Sequence, residues 1–278
     1  MGYQTIGVEG NLTSWAGTFY SNLVSKIRSQ RVNVTIGNQT IDVTGLGSYG
    51  ATFIPGLSDW SATIDAFTLT QSTNTAPNTG ENANVTFTNS TNVYIDSYTL
   101  NIESVPVEIT NFSASPPVLW RSFRPDMIRW SGTMNARIDS ANDILLPFLS
   151  NASPVSATFT YDTNATLAGS ILITRTDPAI QVGGAAVLPI SFVGTGTLTP
   201  DTSAGVLGST AFGGTNANGI PEWNSSGSSA KAFVVALNSG NTLTGVDSFW
   251  QSLSLSVGVG QATKLAIGVR GSGGLSIT

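Results

Sequence analysis

The sequence contains no cysteine and no histidine. Without cysteine there are no disulfides, and zinc or iron–sulfur sites with thiolate ligands are excluded. Without histidine, catalytic triads and imidazole-based acid–base schemes are excluded as well. Charged residues are also scarce: 11 Lys and Arg against 16 Asp and Glu, a net charge of −5. Since tight nucleic-acid binding requires a basic face, this composition argues against a specific nucleic-acid-binding protein.

Long apolar runs are missing too, because no stretch approaches 18 uninterrupted apolar residues. The N-terminus, Met1 to Gln4, lacks the basic and apolar regions of a secretory signal. We therefore expect a protein that is assembled in the cytoplasm and has no membrane partner. Serine, threonine and asparagine supply the polar surface instead, at 90 of 278 residues. This is typical of β-rich shells, adhesins and assemblies.

Most of the chain has the alternating apolar and polar pattern of β-strands. Val32 to Ile36 alternates, a turn follows at Gly37-Asn38, and Ile41 to Thr44 alternates again, which predicts a hairpin. Two segments have a helical period instead, Ser14 to Ser29 and Ser140 to Leu149. The sequence therefore predicts a mainly β fold, an antiparallel sandwich or barrel with one or two short α-helices.

Two polar segments are longer than ordinary loops. Gln71 to Asn82 is rich in Thr, Asn and Ser, and Asp201 to Ser229 is rich in Gly, Ser and Asn. Because such segments bury little apolar surface, we expect both to be flexible interaction arms.

The front half of the chain contains an internal repeat. Ile41 to Leu46 matches Val107 to Phe112, and Pro55 to Thr63 matches Pro125 to Thr133. The shared skeleton is an acidic β-branched strand, a loop, and then P-x-[LM]-x-x-W-S-x-T at the start of another strand. Two copies of one structural unit follow from this pattern.

The back half repeats more weakly. A first copy combines Ala157 to Phe159, the turn Leu167 to Gly169, and Gly194 to Leu198; a second combines Ala232-Phe233, Leu243 to Gly245, and Gly271 to Leu275. The order along the chain is therefore front, front, back, back. Nesting accounts for it: an inner domain at 98–202 interrupts an outer domain made of 1–97 and 203–278. The alternative is two sequential halves that exchange elements.

The repeat unit resembles the major tail tube proteins of long-tailed, non-contractile bacteriophages. In that family an I-[DE]-[VI]-T strand end precedes a P-G-x-x-D-W-S-[GA]-[ST] segment, as in Ile41 to Thr44 and Pro55 to Thr63. A helix, an L-x-G turn and a closing strand near G-T-G-x-L then follow, as in Asp139 to Leu149, Leu167 to Gly169, and Gly194 to Leu198. The second copy departs at two places, since Asp59 is replaced by Arg129 and Gly56 by Asp126.

The resemblance implies a structural virion protein with two tube domains, whose rings stack around a channel for DNA. Family members with one domain form six-membered rings, so a duplicated chain would form a trimeric, pseudo-hexameric ring. The implied partners are other copies of the chain, the tape-measure protein, and the tail terminator and distal tail proteins. Genomic DNA would pass through the lumen without specific binding. The implied location is the virion tail, after assembly in the host cytoplasm.

No residue is predicted to be catalytic, to bind a cofactor or to ligate a metal. Trp60 and Trp130 occupy matched positions, so they are predicted to be core anchors rather than ligand-stacking residues. Asp42 and Glu108 also match, and they are predicted to face solvent or lumen rather than to form a glycosidase pair. The glycine-rich segments Gly194 to Gly196 and Gly271 to Gly274 resemble phosphate-binding loops. No Lys-[ST] follows either segment, so both are predicted to be turns at strand ends.

Two other functions remain open from the sequence. N-x-[ST] triplets and the wealth of Ser, Thr and Asn fit a secreted or surface adhesin, or an S-layer-like glycoprotein. A polysaccharide-active enzyme that uses carboxylates is the third hypothesis.

Overall fold

The computed structural model describes residues 11–15, 24–45, 49–69, 77–81, 84–88, 94–110, 120–138, 153–162, 165–177, 186–200, 207, 232–238 and 241–278. These residues form fourteen β-strands. The strands are β1 (Asn11–Trp15), β2 (Ile27–Asp42), β3 (Phe53–Thr68), β4 (Asn84–Phe87), β5 (Tyr94–Glu108), β6 (Phe123–Ile138), β7 (Val155–Asp162), β8 (Ala165–Thr176), β9 (Ala186–Pro200), β10 (Phe233–Asn238), β11 (Asn241–Gly245), β12 (Ser248–Gly258), β13 (Lys264–Gly271) and β14 (Leu275–Ile277).

The strands build two antiparallel sheets. The larger sheet has ten strands in the order β2-β3-β13-β12-β5-β6-β9-β8-β7-β4, and the smaller has four in the order β1-β10-β11-β14. The predicted mainly β, antiparallel fold is therefore confirmed.

The two long hairpins, β2–β3 and β5–β6, have the same register throughout. Ile36 pairs with Trp60 in the first, and Ile102 pairs with Trp130 in the second. The register shifts also recur at corresponding places, after Ser29 and Ile95 and again after Asn38 and Ser104. The front repeat inferred from short motifs thus extends over both complete hairpins.

The back strands repeat the same pairing scheme. Within the larger sheet β4 pairs with β7, β7 with β8, and β8 with β9. In the smaller sheet β1 pairs with β10, β10 with β11, and β11 with β14. The long strand β8 thus corresponds to β11 plus β12, which are interrupted at 246–247. The long strand β9 corresponds to β13 plus β14, which are interrupted at 272–274. We call β1–β3 with β10–β14 the first repeat, and β4–β9 the second repeat.

The helix predicted over Ser14 to Ser29 is wrong at both ends. Ser14 belongs to β1, which pairs with β10, and Ile27 begins β2, where it pairs with Thr68. Only Val24 and Ser25 are helical among the described residues of this segment. Sheet pairing and burial of Ile27 outweigh the helical spacing of the apolar residues. The second predicted helix, 140–149, lies outside the described residues.

The two polar segments are better anchored than predicted. Asn78 is buried, and its side-chain amide donates to the Tyr161 carbonyl oxygen over 2.6 Å while its side-chain oxygen accepts from the Gly80 N–H. In the longer segment Leu207 is fully buried, and its N–H donates to the Tyr161 hydroxyl. The prediction of flexible arms is therefore wrong at these two residues. Residues 71–76, 82, 201–206 and 208–229 lie outside the described residues.

Candidate assembly surfaces

Each repeat has one tryptophan at the centre of its core. Trp60, on β3, is buried, and its indole N–H donates to the carbonyl oxygen of Gly273 over 3.1 Å. Trp130, on β6, is buried as well, and it donates to the carbonyl oxygen of Gly196 over 3.1 Å. Both acceptor glycines have a positive φ, 100° and 74°, a conformation that favours glycine. The predicted role of both tryptophans as matched core anchors is confirmed.

Glycines make room for each indole. A Cβ on Gly271 or Gly245 would lie within 3.0 Å of the Trp60 ring, and one on Gly194 or Gly169 would lie equally close to Trp130. Glycine occupies these positions because a strand crosses the face of a buried indole there. The turns predicted at Leu167 to Gly169 and at Gly194 to Gly196 are therefore wrong, since the two segments lie within β8 and β9. The phosphate-loop alternative is not needed to explain them.

The acid of the I-[DE]-[VI]-T motif organises the end of each hairpin. Asp42 accepts from the N–H and the hydroxyl of Thr44, and the same hydroxyl accepts from the N–H of Thr52 across the hairpin. In the second hairpin Thr110 donates its hydroxyl to Glu108 and accepts from the N–H of Ser122. The motif thus closes the hairpin, and both acids are exposed, as predicted.

These hydrogen bonds favour the charged carboxylates. The guanidinium of Arg121, followed by the Thr110 hydroxyl, lowers the pKa of Glu108 to about 2. Hydrogen bonds from the Thr44 side chain and backbone lower the pKa of Asp42. A general acid needs a pKa raised toward neutrality, so neither residue has the chemistry of a glycosidase acid.

A cluster of ions joins the two repeats. Arg121, which precedes β6, pairs with Glu108 on its own hairpin and with Asp59 on β3 at 3.5 Å. Asp59 also pairs with Arg270 on β13 at 2.8 Å. Both guanidiniums lie over the ring of Phe123, Arg270 at 4.1 Å and Arg121 at 5.3 Å. The second hairpin is therefore fastened to the first repeat by charge and by cation–π contacts.

Backbone hydrogen bonds reinforce this junction. The Arg121 N–H donates to Ser58, the Gly273 N–H donates to Arg121, and the Phe123 N–H donates to the hydroxyl of Ser272. Beside it, β12 of the first repeat pairs with β5 of the second from Ser252–Glu103 to Gly258–Ser97. We call this arrangement the internal junction: two repeats joined sheet edge to sheet edge, with one hairpin tip docked on the neighbour.

Among the described residues, none covers the first hairpin as β12 and the internal junction cover the second. Ile36 is 50% exposed, whereas its counterpart Ile102, where β5 pairs with β12, is 1% exposed. Phe53 at the tip is 58% exposed, whereas its counterpart Phe123 is 9% exposed in the internal junction. Large apolar residues crowd this hairpin end, where Ile41, Val43, Tyr49 and Ile54 are also exposed. An apolar surface of this kind on an edge hairpin marks a protein interface.

The ion cluster was missed at the sequence level. Arg121 and Arg270 belong to no repeated motif, since Ala51 and Val193 occupy the corresponding positions. The replacement of Asp59 by Arg129 was the available signal, because it shows that the two copies differ in charge at this point. Among the described residues no group of three or more acidic side chains could hold a metal ion, and no helix could cross a membrane.

Comparisons with known proteins found partial structural matches only. No protein-family model matches the sequence, and no curated protein matches it. A solved tail of an empty GTA particle with C6 symmetry is similar over 40% of this chain and 84% of that chain, at 13% identity and a TM-score of 0.34. A solved virion of a native gene transfer agent particle is similar over 37% and 82%, at 14% identity and a TM-score of 0.31.

Proposed function

We propose that the protein is a structural subunit of a viral tail tube, and that copies of it close into rings that stack around a DNA channel. The observation that carries this proposal is the internal junction, in which two like repeats already pair edge to edge while the corresponding edge, β2, lies open at the end of the sheet. A chain with one filled and one open copy of the same edge is suited to self-association. The resemblance of its motifs to those of tail tube proteins favours a tail tube as the assembly.

The resemblance to a family whose single-domain members form six-membered rings implies three chains per ring. If each internal junction is matched by one junction between chains, a ring of three chains contains six repeats and six junctions. The ring is then trimeric by chain and pseudo-hexameric by repeat. Closure leaves no open β2 edge, which removes the aggregation hazard of an exposed strand.

Nested domains complete the proposal. The pairing of β3 with β13 and of β12 with β5 supports an outer unit built from both ends of the chain around an inner one. β4 pairs with β7. The predicted bounds place β4 in the outer segment 1–97. Because of this pairing, we extend the inner unit beyond 98–202 so that it includes β4. Along the chain, the polar segments Gln71 to Asn82 and Asp201 to Ser229 lie near the two boundaries of the inner unit. Polar loops of this kind tolerate an inserted domain best.

The charge distribution suits a channel for DNA. The net charge is −5, and Arg121 and Arg270 are held within the internal junction. Two of the eleven cations are thus engaged in contacts between the repeats. A lumen lined by acidic and neutral side chains would let a polyanion slide. Tape-measure and tail-terminating proteins would be the other partners. The proposed location is the virion tail, with assembly in the host cytoplasm.

Sedimentation and negative-stain imaging of the purified chain over a wide concentration range test this function. Trimers, rings or tubes of uniform diameter are expected at high concentration. Compact monomers at every concentration would contradict the proposal. Duplex DNA should bind more weakly than micromolar at physiological salt, and a tight complex would contradict a non-binding lumen.

A further inference from the structure

The internal junction provides a template for a contact between chains. Within the chain, the tip of the second hairpin presents Glu108, Arg121 and Phe123 to the first repeat. The first repeat receives them with Asp59 and Arg270, and with Ser272 through its hydroxyl. Because the two repeats share one register, the counterpart of each of these residues can be named.

The tip residues correspond to exposed residues of the first hairpin. Asp42 pairs with Phe53 in the register just as Glu108 pairs with Phe123, and Ala51 takes the place of Arg121. All three are exposed. The tip of the first hairpin has therefore kept its acid and its aromatic ring, and it has lost the bridging arginine.

The receiving residues have corresponding positions on the second repeat. Arg129 takes the place of Asp59, and Val193, opposite Ser131, takes the place of Arg270, opposite Ser61. Arg129 is exposed and, among the described residues, is in no ion pair within 4.0 Å; Val193 is 41% exposed. These two residues form an uncovered receiving surface on the second repeat.

The charge differences between the two sets compensate each other. In the internal junction an arginine on the tip links the tip acid to a receiving acid. In the second set the receiving side itself carries the arginine, so Asp42 of one copy would attract Arg129 of another without a bridging residue. Likewise the Phe53 ring would meet the apolar Val193 rather than a guanidinium. Both changes favour the same pairing.

We propose that the first-hairpin tip of one chain docks on the second repeat of another copy, with Asp42 paired to Arg129 and Phe53 packed on Val193. The contact cannot form within one chain, because β2 lies at one end of the ten-stranded sheet while β6 and β9 lie beyond the internal junction. The partner is therefore a second copy of this chain. This inference deepens the proposed function by naming the residues of the contact between subunits.

Charge reversal tests the pairing. Asp42→Arg and Arg129→Asp should each weaken self-association on the order of tenfold or more, because like charges then face each other. The double variant restores opposite charges and should recover self-association. Lys264→Asp, an exposed charge reversal on β13, serves as the control and should assemble as the wild type does. Analytical ultracentrifugation measures the dissociation constants, and thermal unfolding verifies that each variant folds.

A mixture of the two single variants gives a sharper result. Each variant complements the other at both contacts, so equimolar mixing should restore association into alternating dimers and open chains. A closed ring of three cannot alternate, so closed trimers should form from the double variant and not from the mixture. Restored association in neither case would overturn the pairing.

Asp42→Asn separates the charge from the turn. Its amide oxygen can still accept from Thr44, so the hairpin end is retained while the charge is lost. It should weaken association severalfold and leave thermal stability unchanged, and it carries the test with Arg129→Asp if Asp42→Arg does not fold. Wild-type association with unaffected variants would overturn this contact alone. Failure of the wild type to associate would overturn the proposed function instead.

Discussion

The indole N–H of Trp60 donates to the carbonyl oxygen of Gly273 over 3.1 Å, although 213 positions separate the two residues. The corresponding bond in the second repeat joins Trp130 to Gly196 across only 66 positions. The same local structure is thus built once from distant segments and once from a nearly continuous one. The two tryptophans are therefore a matched pair for comparing the repeats.

Replacement of either tryptophan by alanine should destabilise the protein strongly. Each indole is buried, and Trp60 packs against Phe233 as Trp130 packs against Phe159. Truncation of a large buried aromatic side chain costs about 3–5 kcal/mol of unfolding free energy. Urea denaturation followed by circular dichroism measures the loss. A cost below about 1 kcal/mol at either position would contradict its role as a core anchor.

The glycines against the indoles should not tolerate a methyl group. Gly271→Ala and Gly194→Ala each place a Cβ within 2.0 Å of a ring atom of a buried tryptophan. Overpacking of this kind costs about 1–3 kcal/mol of unfolding free energy. Gly50→Ala is the matched control, because nothing lies within 4 Å of its added Cβ. Combining Gly271→Ala with Trp60→Leu should cost less than the sum of the single changes. Additive costs would show that the clash is not with the indole.

Acid should weaken the internal junction. The pKa of Glu108 is about 2 in the folded protein, against 4.5 for an ordinary glutamate, because Arg121 and Thr110 hydrogen-bond its carboxylate. The unfolded chain therefore binds the proton first. The contribution of Glu108 to stability is fully present above about pH 4.5 and is lost as the pH falls toward 2.

Comparison of Glu108→Gln with the wild type isolates this effect. The variant should show a shallower fall of stability between pH 4.5 and 2, and little change in slope above pH 5. Asp65→Asn, which removes another exposed carboxylate, is the control. Equal slopes for wild type and Glu108→Gln in denaturant titrations would contradict the role assigned to the Arg121 pair.

Asn78→Ala should cost stability, even though its segment has the composition of a loose loop. The substitution leaves the buried Tyr161 carbonyl and the Gly80 N–H without their side-chain partner. An unsatisfied buried polar group costs about 1–3 kcal/mol. Thermal unfolding measures the change, and Glu81→Ala, an exposed neighbour, should be nearly neutral. An equally small effect at Asn78 would contradict its anchoring role.

The hairpins and the tryptophan cores could be predicted because their signals are local. Alternation in Val32 to Ile36 and the repeated P-x-[LM]-x-x-W-S-x-T skeleton each lie within one short stretch. The strand β1 could not, because a helical spacing of apolar residues continues past it and only pairing with β10, more than 200 residues away, makes Asn11–Trp15 extended. The short strand β4 also has a local signal, because apolar and polar residues alternate from Ala83 to Phe87.

The ion cluster could not be predicted for a related reason. Asp59, Arg121 and Arg270 come from three distant parts of the chain, and no spacing rule brings them together. The sequence did provide one usable clue, the change from Asp59 to Arg129 between otherwise matched copies. The change can be interpreted only when the residues that face Asp59 are known. The pairing of β12 with β5 brings those residues to Asp59, and the sequence does not reveal this pairing.

The position of β12 and β13 has a consequence for synthesis on the ribosome. These two strands are synthesised after β4–β9, yet they lie between β3 and β5 in the sheet. The second repeat can complete its own pairings as it emerges from the ribosome. The first hairpin, β2–β3, gains its neighbour only when the β12–β13 hairpin has been synthesised. A chain without β12 and β13 therefore lacks the strands that join the two repeats side by side. Side-by-side placement of the two repeats therefore depends on two strands that are synthesised after the whole second repeat.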